Sequence, residues 1–263
     1  MALDHAVDSA SGPLLLCLLG DFRLLRNGSM LTLRTGGKTE ALLGQLGIEH
    51  GHRMSRTALT ELLWPASDAA LANQSLNSLV YSLHKLVGDT LGGGAPVLHE
   101  HGFYRLNCEV GIGVDIARFD ALSNAGDLHI RAGDRDAGAA AYRQAQRLYH
   151  GDLCVVTDVR AVVERERLRA RHLTLLAWLA DYHYRVGEFS ACIEHAWRLL
   201  ACDPSREDAH RLVMRCYVQH GERAAALHHY QVCATILRAE FDAAPEPATS
   251  TLFEQIRLHP DCL

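Results

Sequence analysis

Residues 60–88 read TELLWPASDAALANQSLNSLVYSLHKLVG. At helical spacing, Leu76, Leu79, Val80, Leu83, Leu86 and Val87 fall on one side, and Gln74, Asn77, Ser78, Tyr81 and Lys85 fall on the other. The second side is rich in amide and hydroxyl groups and almost free of charge. Asp68 is suited to cap this helix and Gly88 to end it. Just before it, Ser55 is a good N-cap for a shorter helix carrying Leu59, Leu62 and Leu63. Trp64-Pro65 closes that helix, because proline disfavours helical geometry in the residue before it.

Farther toward the N-terminus, LLLCLLGDFRLLRNGSMLTLR holds short apolar runs separated by Gly20-Asp21 and Asn27-Gly28. Asn-Gly tolerates positive φ at both central positions, which predicts a hairpin within a small antiparallel sheet from Leu14 to Leu33. A first helix is expected from about Lys38 to His50, with Gly51 ending it. On the other side of the long helix, the Gly92-Gly93-Gly94 run precedes VLHEHGFYRL, which predicts two short strands around a glycine-containing turn.

Beyond Val114 the sequence loses strand character and becomes alanine- and leucine-rich. Gly187 and Gly221 stand 34 residues apart (221 − 187), as do Ala191 and Ala225, and His195 and His229. This is the tetratricopeptide period, in which a glycine turn joins two packed helices. An earlier unit, GDRDAGAAAYRQAQRLY, has the same shape after Gly133, and the 54-residue gap to Gly187 (187 − 133) implies an insertion.

The 263-residue length and 48% hydrophobic content suit a two-domain protein with a core in each half. The formal charge is −5. Residues 1–110 hold eight cations against ten acids, or −2 (8 − 10). Such a balance excludes a broad positive field, so any nucleic-acid contact must rest on local cations. The eight cysteines are scattered without a CxxC pair, which predicts reduced thiols and neither a zinc site nor a disulfide framework. Leu14–Leu19 has no basic residue before it and reads as a strand rather than a signal core. No apolar run approaches the roughly 20 residues of a membrane span, and a cytoplasmic location is expected.

Several chemistries are set aside. Gly37-Lys38-Thr39 imitates the end of a phosphate-binding loop, but the pattern needs glycine where Thr32 stands. No constellation suggests an enzyme, and neither a cofactor nor a metal is expected. His99-Glu100-His101 places two imidazoles on one face of a strand, but a third ligand is missing. The sixteen histidines predict a net charge that moves toward positive in mild acid, which would strengthen any contact with nucleic acid.

Residues 14–110 resemble an OmpR-type winged helix. The likeness rests on Gly20-Asp21-Phe22, Leu62-Leu63-Trp64-Pro65, the spacing of the long helix and Tyr104-Arg105-Leu106. Residues 114–258 resemble the bacterial transcriptional activation domain through YHGDL, VVERERLRARHL and LRAEFDAAPEPATSTLFEQIR. The juxtaposition resembles the SARP family of transcriptional activators. It implies an α+β winged helix-turn-helix domain at 14–110 and an all-α tetratricopeptide-like repeat domain at 111–258, between tails at 1–13 and 259–263.

That resemblance makes the long helix a recognition helix in double-stranded DNA, with direct repeats as targets. Gln74, Asn77, Ser78 and Tyr81 then face bases, and Arg53, Arg56, His84, Lys85 and His101 supply phosphate contacts. Family members carry several arginines toward the end of this helix, where this chain has Ser82, His84 and Lys85. Homodimerisation or a polymerase partner would supply the remaining affinity. The concave groove of the repeats would present Asp181, Tyr184, Arg185, Asp208, Arg211 and Arg215 to RNA polymerase, another regulator or a small effector. The alternative is a signalling adaptor whose winged helix no longer reads DNA.

Overall fold

The computed structural model describes residues 12–34, 36–155 and 158–258. Most of the expected N-terminal tail and all of residues 259–263 lie outside that range. The chain divides into two compact units. One runs to Asn124 and takes in Arg147–Arg169; the other comprises Ala125–Gln146 and the chain from Ala170 onward.

In the first unit, β1 (Leu14–Cys17) is an interior strand of a four-stranded sheet. Its neighbour β2 (Arg23–Arg26) pairs antiparallel with it and continues into β3 (Ser29–Met30). The turn between them has φ +48° at Asn27 and +79° at Gly28, the left-handed pair that the two residues were expected to supply. On the other side of β1, β7 (Ile112–Val114) runs parallel, so this sheet draws on residues from both sides of position 110. All four β1 side chains are buried.

Helix α1 (Lys38–Ile48) is one turn-half shorter at its end than the sequence implied, with Gly51 at φ +83° beyond it. It contains Gly47, a residue that disfavours helices. A Cβ there would stand 2.7 Å from methyl groups of Leu16 and Leu18, so glycine permits the close approach of helix and sheet. Short β4 (Met54–Ser55) leads directly into α2 (Arg56–Leu63), whose cap Ser55 accepts from Ala58 N–H at 3.2 Å. Helix α3 (Ala69–Val87) begins at Asp68, which accepts from Ala70 N–H at 2.8 Å. Strands β5 (Val97–Glu100) and β6 (Phe103–Leu106) form a hairpin, and β6 also pairs with β4. Three helices followed by a hairpin is the winged-helix order.

Two expectations are corrected. Leu86 is 39% exposed rather than part of the apolar face; its carbonyl accepts from Arg26 Nη2 at 2.6 Å. His101 occupies the β5–β6 turn at φ +52°, so the alternation that would align it with His99 is broken there.

Helix α4 (Asp115–Arg131) starts straight after β7. The Asp115 carboxylate accepts the backbone N–H groups of Leu18 at 2.8 Å, Leu19 at 2.9 Å and Ile116 at 2.8 Å. It thereby satisfies the backbone just past β1, where the chain leaves the ladder. Burial pushes its pKa up to about 6, and the three hydrogen bonds and Arg23 only partly oppose this. Nearby, Leu19 bridges to Leu153, whose carbonyl accepts from Arg165 Nε and Nη2 at 3.1 and 2.7 Å.

Helical hairpins follow: α4 with α5 (Arg135–Leu148), α6 (Val159–Arg185) with α7 (Phe189–Cys202), and α8 (Glu207–Gln219) with α9 (Arg223–Phe241), then α10 (Pro247–Leu258). The two turns 34 residues apart have φ +80° at Gly187 and +76° at Gly221. Within the second unit, Leu176, Ala180, Cys192, Ala196, Leu199, Val213 and Cys216 make one buried cluster, and Met214, Ala226, Leu252 and Ile256 make another.

The repeated histidines are part of this interior. His195 stacks on His183 with ring centroids 5.1 Å apart, and His229 Nε2 lies 2.9 Å from His210 Nδ1. His210 Nε2 is 2.9 Å from the Pro204 carbonyl, an acceptor, so that nitrogen carries the proton. His210 Nδ1 is then the acceptor and His229 Nε2 the donor, an arrangement that requires His210 to be neutral. Burial, with charge from neighbouring side chains, brings His195 and His229 down to about 4, and burial also lowers His210. These three therefore add no positive charge in mild acid, contrary to the expectation for histidines at large.

Two measurements follow from this packing. Asp115→Ala orphans three backbone N–H groups and is expected to lower stability by roughly 3 kcal/mol in urea unfolding. The unfolded chain takes up protons on His195 and His229 near 6.5 that the folded chain refuses until about 4. Stability of the repeats should thus fall with pH across that window, by roughly 2 kcal/mol per histidine at about pH 5. In His229→Gln the decline should be shallower; an unchanged decline would contradict the assignment.

Candidate nucleic-acid interface

The residues that face outward on α3 were chosen by its packing. Ala72, Leu76, Leu83 and Val87 are buried, which leaves Gln74, Asn77, Ser78, Tyr81 and Lys85 exposed. At 100° per residue these five occupy an arc of about 100°. Tyr81 is 69% exposed. No Asp or Glu occurs from Ala69 to Val87, so the stripe carries no carboxylate to repel a phosphate backbone. Sequence reasoning passed over Leu71, which is 62% exposed and lies one turn before Gln74 and two before Ser78 on the same side. An apolar residue without a core role on an outward face was the signal available.

Arg56 does more than its expected phosphate contact. The β4–β6 register sets Ser55 opposite Phe103, and Arg56 N–H donates to Gly102 carbonyl at 2.9 Å, which fixes the start of α2 beside the hairpin. From there Arg56 Nη1 donates to Asn77 Oδ1 at 3.2 Å. Its Nη2 lies 3.3 Å from His99 Nε2, and since guanidinium only donates, that imidazole nitrogen accepts. The guanidinium carbon also sits 5.4 Å from the Tyr104 ring centre, a cation–π distance. His99 in turn stacks on Tyr104 at 4.3 Å. Arg56 thus ties α2, α3 and the hairpin together and presets the rotamer of Asn77. Burial raises the Tyr104 pKa, with Arg56 opposing.

The other expected cations divide by position. Arg53 and Lys85 are exposed, His84 is half-buried, and His101 is exposed in the hairpin turn beside half-exposed Phe103. Lys38 is unavailable, since its Nζ donates to the Leu63 carbonyl at 2.5 Å.

The six residues expected in the repeat groove do not form one set. Asp181 pairs with Arg185 at 2.7 Å and with Arg135 at 3.7 Å. Tyr184 packs on Phe189 with centroids 5.7 Å apart; burial raises its pKa and Arg215 opposes the rise. Arg215 is exposed. Asp208 is held by Arg206 at 3.0 and 2.6 Å; burial works to raise its pKa, but this pairing prevails and lowers it. Arg211 donates to Thr249 Oγ1 at 2.8 Å and reaches Glu246 at 3.2 Å, so it fastens α8 to α10. Asp208 and Arg211 are spent on internal contacts. Among the described residues, no group of three His, Cys, Asp or Glu is placed to hold a metal ion. No helix among them is long and apolar enough to cross a membrane.

The family described as Bacterial transcriptional activator domain matches residues 114–257, which is 144 of 263 positions (257 − 114 + 1). The chain belongs to that family, as a SARP-type transcriptional regulator whose relatives are regulators rather than enzymes. It is 25% identical over 247 residues to Transcriptional regulatory protein MoaR1 of Mycobacterium bovis, covering 91% of this chain and 78% of that protein. MoaR1 of Mycobacterium tuberculosis matches equally, at 25% over 247 residues. Regulatory protein DnrI of Streptomyces peucetius is 24% identical over 221 residues, covering 81% of this chain and 80% of its own length. Among solved structures, Mycobacterium tuberculosis EmbR in complex with a low-affinity phosphopeptide superposes with a TM-score of 0.73 at 24% identity. That match covers 94% of this chain and 65% of EmbR, and it gives the fold: a winged helix followed by tetratricopeptide-like repeats.

If Arg56 sets the reading face, Arg56→Ala should release Asn77 and His99 while costing only about 1 kcal/mol or less in stability. The check is the amide side-chain signal of Asn77 by NMR, expected to shift and broaden in the variant.

Proposed function

We propose that this regulator reads double-stranded DNA through α3, acting in the cytoplasm as an activator at direct repeats. The observation that carries the reading is the exposed, carboxylate-free stripe Gln74, Asn77, Ser78 and Tyr81, with Asn77 held in place by Arg56. An Asn or Gln amide presents a donor and an acceptor at the spacing of an adenine edge in the major groove. Asn77 Oδ1 retains a lone pair for an adenine amino group beyond the one that Arg56 uses. Leu71 and the Tyr81 ring are suited to thymine methyl groups. Lys85 and Arg53, with Arg56 and His84 behind them and His101 at the hairpin tip, are the phosphate contacts, and they are few.

Few phosphate contacts mean weak non-specific affinity and a shallow salt dependence. Additional affinity then comes from paired copies on repeated half-sites or from RNA polymerase held by the repeat domain. Of the residues expected to meet that partner, Asp181, Tyr184, Arg185 and Arg215 remain suited to the task; Asp208 and Arg211 are engaged elsewhere. The adaptor reading draws on the formal charge of −5, which gives no general attraction to DNA.

Occupancy across the protein's own genome identifies fragments for a mobility-shift titration. Lys85→Ala is expected to lower affinity on every sequence and reduce the slope of log K against log salt by about 1. Asn77→Ala should cost about 1–3 kcal/mol on an occupied site and little on unrelated DNA. No shift on any fragment at low salt would select the adaptor.

A further inference from the structure

The Arg56 guanidinium is held at its two ends by different kinds of partner. Nη1 donates to Asn77 Oδ1 at 3.2 Å, and Nη2 lies 3.3 Å from His99 Nε2. Both contacts need an acceptor, because a guanidinium has donors only. Asn77 always supplies one in its amide oxygen. His99 supplies one only while its imidazole is neutral with the proton on Nδ1. Once Nε2 takes a proton its lone pair is gone, and two cations stand at hydrogen-bond distance.

We infer that His99 is a positioning residue for the exposed face of α3: through Arg56 it holds the Asn77 side chain in place, and it does so only as neutral imidazole. Its surroundings make Arg56 the group that moves on protonation. From β6, Tyr104 stacks on the His99 ring with centroids 4.3 Å apart, against 5.4 Å between the same ring and the Arg56 guanidinium. An aromatic face attracts imidazolium as it attracts guanidinium, so the closer His99 keeps its seat. From α3, Asn77, Tyr81 and His84 border the same groove, and that helix contains no Asp or Glu to screen the two charges. On its own strand Glu100 is the next residue, and by alternation it lies on the opposite face.

Mild acid therefore acts on this face in two opposed ways. Rising positive charge favours phosphate in general, while loss of the Arg56–His99 contact lets Arg56 swing away and frees the Asn77 rotamer. The consequence for base reading rests on the function proposed above, whereas the coupling of His99 to Asn77 in the free chain does not.

The test follows the Asn77 side-chain amide by NMR in the full chain without DNA, from about pH 8 to about pH 5, the interval in which histidine changes charge. Its signals are expected to move along a single titration and to broaden in acid as the rotamer is released. His99→Gln offers an amide oxygen that accepts at every pH, so Asn77 should keep its mildly basic signals throughout. His99→Leu offers no acceptor and should give the acid-like signals throughout. His84→Gln removes the other imidazole on the groove and should leave the titration in place. On a DNA fragment that the protein occupies, affinity relative to unrelated DNA should fall about three- to tenfold in acid for the wild type and stay level for His99→Gln. Asn77 signals indifferent to pH in the wild type would overturn the inference. So would a pH response that persists unchanged in both His99→Gln and His99→Leu. A His99-dependent titration of Asn77 with no change in relative affinity supports the positioning role and counts against the DNA reading alone.

Discussion

A single buried carboxylate holds the winged-helix unit to the start of the activator-domain sequence. Asp115 takes the N–H groups of Leu18 and Leu19 where the central strand leaves the sheet, and that of Ile116 at the head of α4. Without it, the backbone beyond β1 would be buried with unpaired donors, among the more destabilising arrangements a small core can contain. The desolvation of the ionised group is a real opposing force, visible in its raised pKa. Three directed donors nevertheless make Asp115 the residue that fixes β7 beside β1 and sets where α4 begins. The parallel β1–β7 pairing and the Leu19–Leu153 bridge both lie within reach of this point.

Much of the fold was legible because its signals are local. Ser55 and Asp68 cap α2 and α3 through their own side chains, Asn27-Gly28 turns the hairpin through its tolerance of positive φ, and the glycines at 187 and 221 mark the repeat by their spacing. Each needs only neighbours in sequence to act. The strand β7 is three residues long and pairs with a partner almost a hundred positions away, so nothing in its own composition announces it. Leu86 shows the same limit at the scale of one residue: helical spacing assigns it a face, but only tertiary packing decides whether that face is covered there.

The candidate site divides along similar lines. The exposed side of α3 follows from periodicity and was readable apart from Leu71 and Leu86. What Arg56 contacts was not, since its neighbours Asn77, His99 and Tyr104 arrive from a helix and a hairpin distant in the chain. Nor does a repeat position reveal whether an arginine faces solvent. Arg211 occupies a groove register, yet α10 claims it through Thr249 and Glu246. The histidines repeat the lesson: the 34-residue spacing of His195 and His229 marks the helix pairs, while their burial explains why they are uncharged near neutrality.

The fastening of α10 to the last helical hairpin has an outcome for assembly. A stack of like hairpins has an adhesive end, because each unit offers its successor the same greasy surface. Here Leu252 and Ile256 of α10 cover Met214 and Ala226, Arg211 and the Glu207 carboxylate grip the segment that enters α10, and Arg223 reaches two carbonyls near its end. This helix covers apolar surface of α8 and α9 on which another hairpin would otherwise pack.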